Sequence, residues 1–199
     1  MVVELFFCRL DVRPSAKVNL HHLRKLLGSE EAVLTSEGRI SLNFQYCYVD
    51  VTLFQSIADK IIGSCTGAGK AEMKKIIPVA EKAIGIYTGN FIEAEDGCPH
   101  IAVFRERLRS KFSRLVEITG MYYETQRQWN NALGLYEKGI EADELQEEFY
   151  KCLMLCYEKL GKYNEAVSVY NRCSRMLHMH FGVGPSARMK AVCAKLLTH

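Results

Sequence analysis

Tyr123-Glu-Thr-Gln-Arg-Gln-Trp129-Asn-Asn-Ala132-Leu-Gly-Leu-Tyr136-Glu-Lys-Gly139 and Tyr157-Glu-Lys-Leu-Gly-Lys-Tyr163-Asn-Glu-Ala166-Val-Ser-Val-Tyr170-Asn-Arg-Cys173 are the same pattern written twice, 34 residues apart. Tyr123 recurs as Tyr157, Trp129 as Tyr163, Ala132 as Ala166, Tyr136 as Tyr170, and Gly139 as the small Cys173. A period of 34 residues is that of one helix–turn–helix unit stacked in series. The small residues mark close helix approach, and the aromatics fill the gaps between stacked pairs. Interaction scaffolds need such an arrangement and enzymes seldom do. The pattern therefore points to binding before any single residue is weighed.

Working outward, the chain from Lys70 reads as helical almost throughout, with segments at 70–86, 98–119, 120–126, 129–141, 144–160, 163–180 and 185–197. The second and third of these can be continuous. Short loops between them suit antiparallel helix pairs. Arg127-Gln-Trp129 and Gly161-Lys-Tyr163 are the equivalent turns, and Pro185 is expected to open the last helix. The expected fold class is mainly α: a tetratricopeptide-like helical repeat domain over residues 49–199, preceded by a small α/β segment over 1–48.

In that first segment, residues 15–27 read as a helix that stops at Gly28. Val33-Leu-Thr and Arg39-Ile-Ser-Leu flank Ser36-Glu-Gly38 as a β-hairpin, and Tyr46-Cys-Tyr-Val suggests a further strand. Asp50 is expected to cap a helix reaching about Ile62. Gly63-Ser-Cys-Thr-Gly-Ala-Gly69 then breaks the pattern. It is no phosphate loop, because Gly69-Lys70 is followed by Ala71 rather than Ser or Thr.

Composition narrows the class. The 199 residues are 48% apolar and 25% charged, enough for a core in a water-soluble chain. A net charge of +3 is too small to demand a nucleic-acid partner, so any basic patch must be local. No apolar run approaches the roughly 18 residues of a membrane helix. The opening Met1-Val-Val-Glu-Leu-Phe-Phe lacks the regions of a secretion signal. The eight cysteines (8, 47, 65, 98, 152, 156, 173 and 193) form no Cys-x-x-Cys pair. They read as reduced, mostly buried thiols in a cytoplasmic protein.

The order of motifs resembles a known family. Tyr87-x-Gly89-x-Phe91, Arg105-Glu-Arg-Leu-Arg109, Glu147-Glu-Phe-Tyr-Lys-Cys-Leu-Met154, Gly161…Ala166…Tyr170 and Phe181-Gly-Val-Gly-Pro-Ser186 follow one another at the spacing of the bacterial transcriptional activator domain. That domain accompanies the DNA-binding domain of Streptomyces antibiotic regulatory proteins. Asn19-Leu-His-His-Leu-Arg-Lys-Leu-Leu-Gly28 resembles the recognition helix of a response-regulator-type winged helix, the hairpin 33–42 its wing, and Val49-Asp-Val-x-x-Phe54 the join to the activator domain. Two departures stand out. The family's leading strands and first helix have no counterpart, the match beginning near Glu4-Leu5. The recognition helix is also about one turn short between Ala16 and Leu23. The chain is then either a fragment or the descendant of a regulator whose DNA-binding half has decayed.

The candidate residues follow from both readings. Lys17, Asn19, His21, His22, Arg24 and Lys25 would face phosphates and base edges in a complete winged helix. In this chain alone they suit a solvated face over a Val18/Leu20/Leu23/Leu27 stripe. Tyr122, Trp129, Tyr136, Tyr157 and Tyr170 are candidates for protein contact, balanced against inter-helix packing. His21-His22 and His178-x-His180 lack the i, i+3 or i+4 spacing that puts two metal ligands on one helix face. Cys98 and His100 have no orienting third group, and Glu93, Glu95 and Asp96 suit a helix N-terminus. No catalytic residue, metal or cofactor is expected.

The resemblance implies a piece of a bacterial transcriptional regulator. Its repeat domain would mediate protein–protein contact or self-association that modulates DNA binding, with DNA bound only in a complete winged helix and no membrane role. A stand-alone tetratricopeptide adaptor without a DNA role is the alternative. A repeat-regulated enzyme lacks any catalytic constellation.

Overall fold

A computed structural model describes residues 14–36, 39–65, 69–89 and 99–197. The fold is mainly α. Among the described residues eight α-helices and one hairpin follow in chain order: α1 (Pro14–Leu27), β1 (Val33–Ser36), β2 (Arg39–Leu42), α2 (Asp50–Ser64), α3 (Lys70–Ile86), α4 (Pro99–Thr125), α5 (Trp129–Ala142), α6 (Glu147–Lys159), α7 (Tyr163–Phe181) and α8 (Ala187–Leu196). The chain divides into two compact units between Leu53 and Phe54.

In the first unit α1 ends where Gly28 takes a left-handed φ of 72°. Ser29 then caps a single 3-10 turn, Glu30–Ala32, by accepting from the Glu31 amide at 3.2 Å. The strands pair antiparallel with Val33 opposite Leu42 and Ser36 opposite Arg39. Tyr46–Val49 is not a strand. The amides of Tyr46 and Cys47 both bond the Asn43 carbonyl, at 2.9 and 3.0 Å, and close a turn instead. The Val49 carbonyl accepts from the Leu53 amide at 3.1 Å, so the helix already includes Asp50 and begins one residue before the expected cap would allow.

The second unit is a stack in which each helix from α3 to α8 packs on its chain neighbour, with α8 also against α6. α4 runs unbroken through Gly120, which joins the two segments expected at 98–119 and 120–126. The reason is packing. The Tyr136 ring of α5 lies so close that a methyl group at Gly120 would sit 2.5 Å from it. One turn of the stack later, a methyl at Gly139 would sit 2.7 Å from the Phe149 ring of α6. Tyr136 and Phe149 are themselves 6.3 Å apart, centroid to centroid. Ala132 and Ala166 are fully buried, as the repeat requires.

The two repeat turns have the same geometry. Arg127 (φ 56°) and Gly161 (φ 71°) both take the left-handed conformation. Gln128 and Lys162 then donate back to the Tyr123 and Tyr157 carbonyls, each at 2.9 Å. A 34-residue offset in sequence is therefore a 34-residue offset in hydrogen bonds.

Two boundaries differ from expectation. α6 starts at Glu147 rather than 144, because the Asp143 carboxylate and carbonyl hold the Leu145 and Gln146 amides in a turn. α8 starts at Ala187, because Ser186 Oγ accepts from the Met189 amide at 3.3 Å. Ser186 is thus the cap and Pro185 lies outside the helix.

The glycines separate two effects. Ala for Gly improves helix propensity by about 1 kcal/mol where there is room. Gly134, exposed in α5, has no atom within 4 Å of an added methyl, so Gly134→Ala is expected to raise stability by about 0.5–1 kcal/mol. At Gly120 overpacking against a buried ring outweighs the same gain, and Gly120→Ala is expected to lower stability by about 1–3 kcal/mol. Urea midpoints of the two variants should move in opposite directions.

Candidate functional site

The candidates of the first unit lie on α1. Lys17, Asn19, His21, His22 and Lys25 are exposed along the helix. Arg24 is not available in the same way. Its guanidinium donates to the Val33 carbonyl through Nε at 3.2 Å and Nη2 at 2.8 Å, and Nη1 lies 3.6 Å from Glu30. It therefore fastens α1 to β1, a role that the sequence pattern did not suggest. His21 also faces Glu30, at 3.9 Å. The Val18/Leu20/Leu23/Leu27 stripe, expected to be covered, is instead open: Val18, Leu23 and Leu27 are all exposed, as is Leu26. Met1–Arg13 and the Gly38 turn lie outside the described residues.

The repeat tyrosines divide by depth. Tyr136 is a core residue, so it is withdrawn as a contact for a partner. Its hydroxyl donates to Glu124 at 2.6 Å, and burial, followed by that hydrogen bond, pushes its pKa far above the usual phenol range. Tyr122, Trp129, Tyr157 and Tyr170 are half-buried and keep an edge in solvent. Tyr122 meets Tyr123 edge-on at 5.7 Å. The Tyr123 hydroxyl reaches across to Glu81 of α3 at 2.6 Å, and this hydrogen bond is the main reason its pKa rises to about 12. Tyr123 thus ties α3 to α4.

The family-like motifs prove to be internal joints. Tyr87 stacks on Phe112 of α4 at 4.3 Å and tilts against Phe54 of α2 at 5.5 Å. Arg109 pairs with Glu106 on its own helix and lies 4.0 Å from Asp143 in the α5–α6 turn. Phe91, the motif's third position, lies outside the described residues, as do Glu93, Glu95, Asp96 and Cys98.

Sequence reasoning missed a cleft of about 390 Å³ between α2, α4 and the α5–α6 turn, with Ile62, Arg109, Arg114, Asp143 and Gln146 among its walls. Arg109 Nε, in its wall, and Tyr87 Oη, outside it, are buried with no hydrogen-bond partner among the described residues. Ion pairs border the cleft: Lys111 meets Asp59 at 2.6 Å and Arg114 meets Glu117 at 2.9 Å. No spacing rule brings residues 62, 109 and 143 together, because only helix packing does so.

The described cysteines are free. Cys156 and Cys173 are buried and Cys152 is half-buried. Burial lifts the Cys152 and Cys156 thiols to about 12 and Cys173 to about 11, with the Glu124 carboxylate adding to the first two. These are neutral, unreactive thiols at pH 7. Among the described residues no group of three His, Cys, Asp or Glu side chains is arranged to hold a metal ion. No described helix is long and apolar enough to cross a membrane.

A family model described as bacterial transcriptional activator domain matches residues 49–197. Comparison with curated proteins found no match. Among solved structures, Mycobacterium tuberculosis EmbR in complex with a low-affinity phosphopeptide aligns with 95% of this chain at a TM-score of 0.64 and 15% identity. The likeness is one of fold, and this chain spans 50% of that one.

The buried thiols carry a pH dependence of definite sign. Each ionises at 9.0 when unfolded and near 12 when folded, so above pH 9 the unfolded chain releases protons that the native chain retains. Their stabilising contribution should be complete below about pH 9 and be lost as pH rises from there through about 12. Urea unfolding at pH 7, 9 and 10.5 measures this. A midpoint that rises over that interval would contradict the burial of the pair.

Proposed function

The chain belongs to the bacterial transcriptional activator domain family, and from that premise we propose that it acts within a transcriptional regulator. In this reading the helical unit, residues 49–199, makes protein contacts or self-associates, and that event biases how a DNA-binding domain engages its site. The observation that carries the reading is the family match over residues 49–197. The stacked fold supports it, since stacked helix pairs offer broad side surfaces for partners. The half-buried Tyr122, Trp129, Tyr157 and Tyr170 give those surfaces rigid amphipathic anchors. No catalytic step is assigned to any residue.

Residues 1–48 are proposed as the remnant of a winged helix, with α1 as the shortened recognition helix and β1–β2 as the wing. The exposed Lys17, His21, His22 and Lys25 would contact phosphates, and Asn19 base edges. With Arg24 engaged by Val33 and Glu30, the α1 surface has one fewer available cation.

Two measurements test this reading. Sedimentation of the full chain against concentration should show reversible self-association, since two-fold dimers are the commonest oligomers. A strictly monomeric species up to about millimolar, the range of weak binding, would leave a heterologous partner and favour the adaptor reading. Duplex DNA should bind weakly, without sequence preference and with a steep loss of affinity on adding salt. Lys17→Ala with Lys25→Ala should flatten that salt dependence by about two counterions. A sequence-specific, salt-tolerant complex lost on Asn19→Ala would show that α1 still reads DNA.

A further inference from the structure

The cleft between α2, α4 and the α5–α6 turn has walls of both charges. Its volume of about 390 Å³ lies at the lower end of the range for small-molecule sites. Three cations, Arg109, Lys111 and Arg114, face three carboxylates, Glu106, Glu117 and Asp143, so the ionised walls sum to zero. Ile62 is the apolar wall among the described residues. Most of these charges are already committed. Lys111 meets both carboxylate oxygens of Asp59 on α2, at 2.6 and 2.8 Å. Arg109 takes Glu106, and Arg114 takes Glu117. Two groups keep capacity. Arg114 spends one of its five N–H donors on Glu117, at 2.9 Å, and its side chain is 57% exposed. Asp143 gives Oδ1 to the Leu145 amide at 3.2 Å, while its Oδ2 stands 4.0 Å from Arg109 Nε, too far for a hydrogen bond. Arg109 Nε is itself buried with no acceptor among the described residues. The cleft thus presents a guanidinium with donors to spare on α4 and a carboxylate oxygen to spare on the α5–α6 turn.

Neutrality with both signs present selects the occupant. A nucleotide or other phosphate ester would set two or more negative charges against Glu106, Glu117 and Asp143, and a polyamine would meet the three cations in the same way. An apolar ligand gains little from a single isoleucine. A small dipolar molecule leaves no wall charge opposed. We propose that this cleft binds a free α-amino acid with a small or polar side chain. Its carboxylate would take the unspent donors of Arg114, and its ammonium would donate to Asp143 Oδ2, both as charge-assisted hydrogen bonds. The ammonium must be primary, because Asp143 Oδ2 needs an N–H donor that a quaternary nitrogen lacks. The ligand would touch Ile62, Arg114 and Asp143, which only the packing of α2, α4 and the α5–α6 turn brings together. This site goes beyond the protein-contact reading and does not depend on it.

The probes are glycine, L-serine and L-glutamine, titrated into the full chain by calorimetry. Propionate and methylamine, which each carry one of the two charges, and inorganic phosphate serve as comparisons. At least one of the three amino acids should bind with a Kd below about 1 mM, and the comparisons should bind about tenfold more weakly or not at all. Asp143→Asn removes the charge and keeps an acceptor for the Leu145 amide. Arg114→Gln removes an exposed guanidinium whose surface ion pair contributes little to folding. Each change should weaken binding about tenfold or more. Arg188→Gln on α8, outside the walls, should leave it unchanged. Urea midpoints without ligand separate lost binding from lost folding, and slowed amide exchange at 143–146 on the unaltered chain is an independent readout. Binding of none of the three below about 1 mM, equal binding of propionate or methylamine, tighter binding of phosphate, or a Kd unchanged in both variants would each overturn the proposal. Self-association without amino-acid binding would remove this inference alone and leave the protein-contact reading standing. Amino-acid binding by a strictly monomeric chain would do the reverse.

Discussion

The second unit depends on two glycines that let aromatic rings lie directly on helix backbone. Gly120 admits Tyr136, and Gly139 admits Phe149. A single methyl at either site would force a ring or a helix to move. The four residues form a staircase in which each step fixes the next: α4 receives α5 through Gly120, and α5 receives α6 through Gly139. Full burial of a ring of this size contributes about 1.5–3 kcal/mol, but only at the spacing the glycines set. The Tyr136 hydroxyl would be costly inside such a contact if it were unpaired, and Glu124 accepts its hydrogen bond at 2.6 Å. Glu124 also lies 4.0 Å from the Cys156 sulfur, so one carboxylate on α4 serves side chains of α5 and α6.

Beyond that staircase the stack changes in strength. Tyr136 is buried between Gly120 of α4 and Phe149 of α6, whereas Tyr170, its equivalent, stays partly exposed. The position of Gly139 becomes Cys173, still buried but no longer a bare backbone. Here α8 covers the end with Met189, Cys193 and Leu196, while Leu197 remains in solvent.

The first unit is held by different means. Its core is small, with Ala32 and Val33 as its buried apolar residues among those described. The Arg24 guanidinium, two bonds to one carbonyl, does work that a larger core would otherwise do. A residue expected to meet phosphate is thus required by its own hairpin. This is why a basic residue in a recognition-like helix is not by itself a DNA contact.

Much of this was legible in the chain. The 34-residue period specified the number, order and direction of α4 to α7, because each position that recurs must meet the same neighbour. Gly182 marked the end of α7 by its freedom to take positive φ, and Gly161 marked its turn in the same way. Arg127, which takes the left-handed conformation without that freedom, was identified only through its equivalence to Gly161. Start positions were less legible. Asp143 and Ser186 delayed α6 and α8 through side-chain hydrogen bonds whose partners the pattern does not name. Tertiary structure alone decided which aromatics were surface and which were core. Tyr136 and Tyr170 are identical in repeat position, yet Tyr136 lies buried on the bare backbone of Gly120 while Tyr170, with Met154 at the position equivalent to Gly120, keeps an edge in solvent. It alone also joined Ile62, Arg109 and Asp143 into a cleft. A repeat in sequence records contacts between neighbours, whereas exposure and clefts depend on how distant segments pack together.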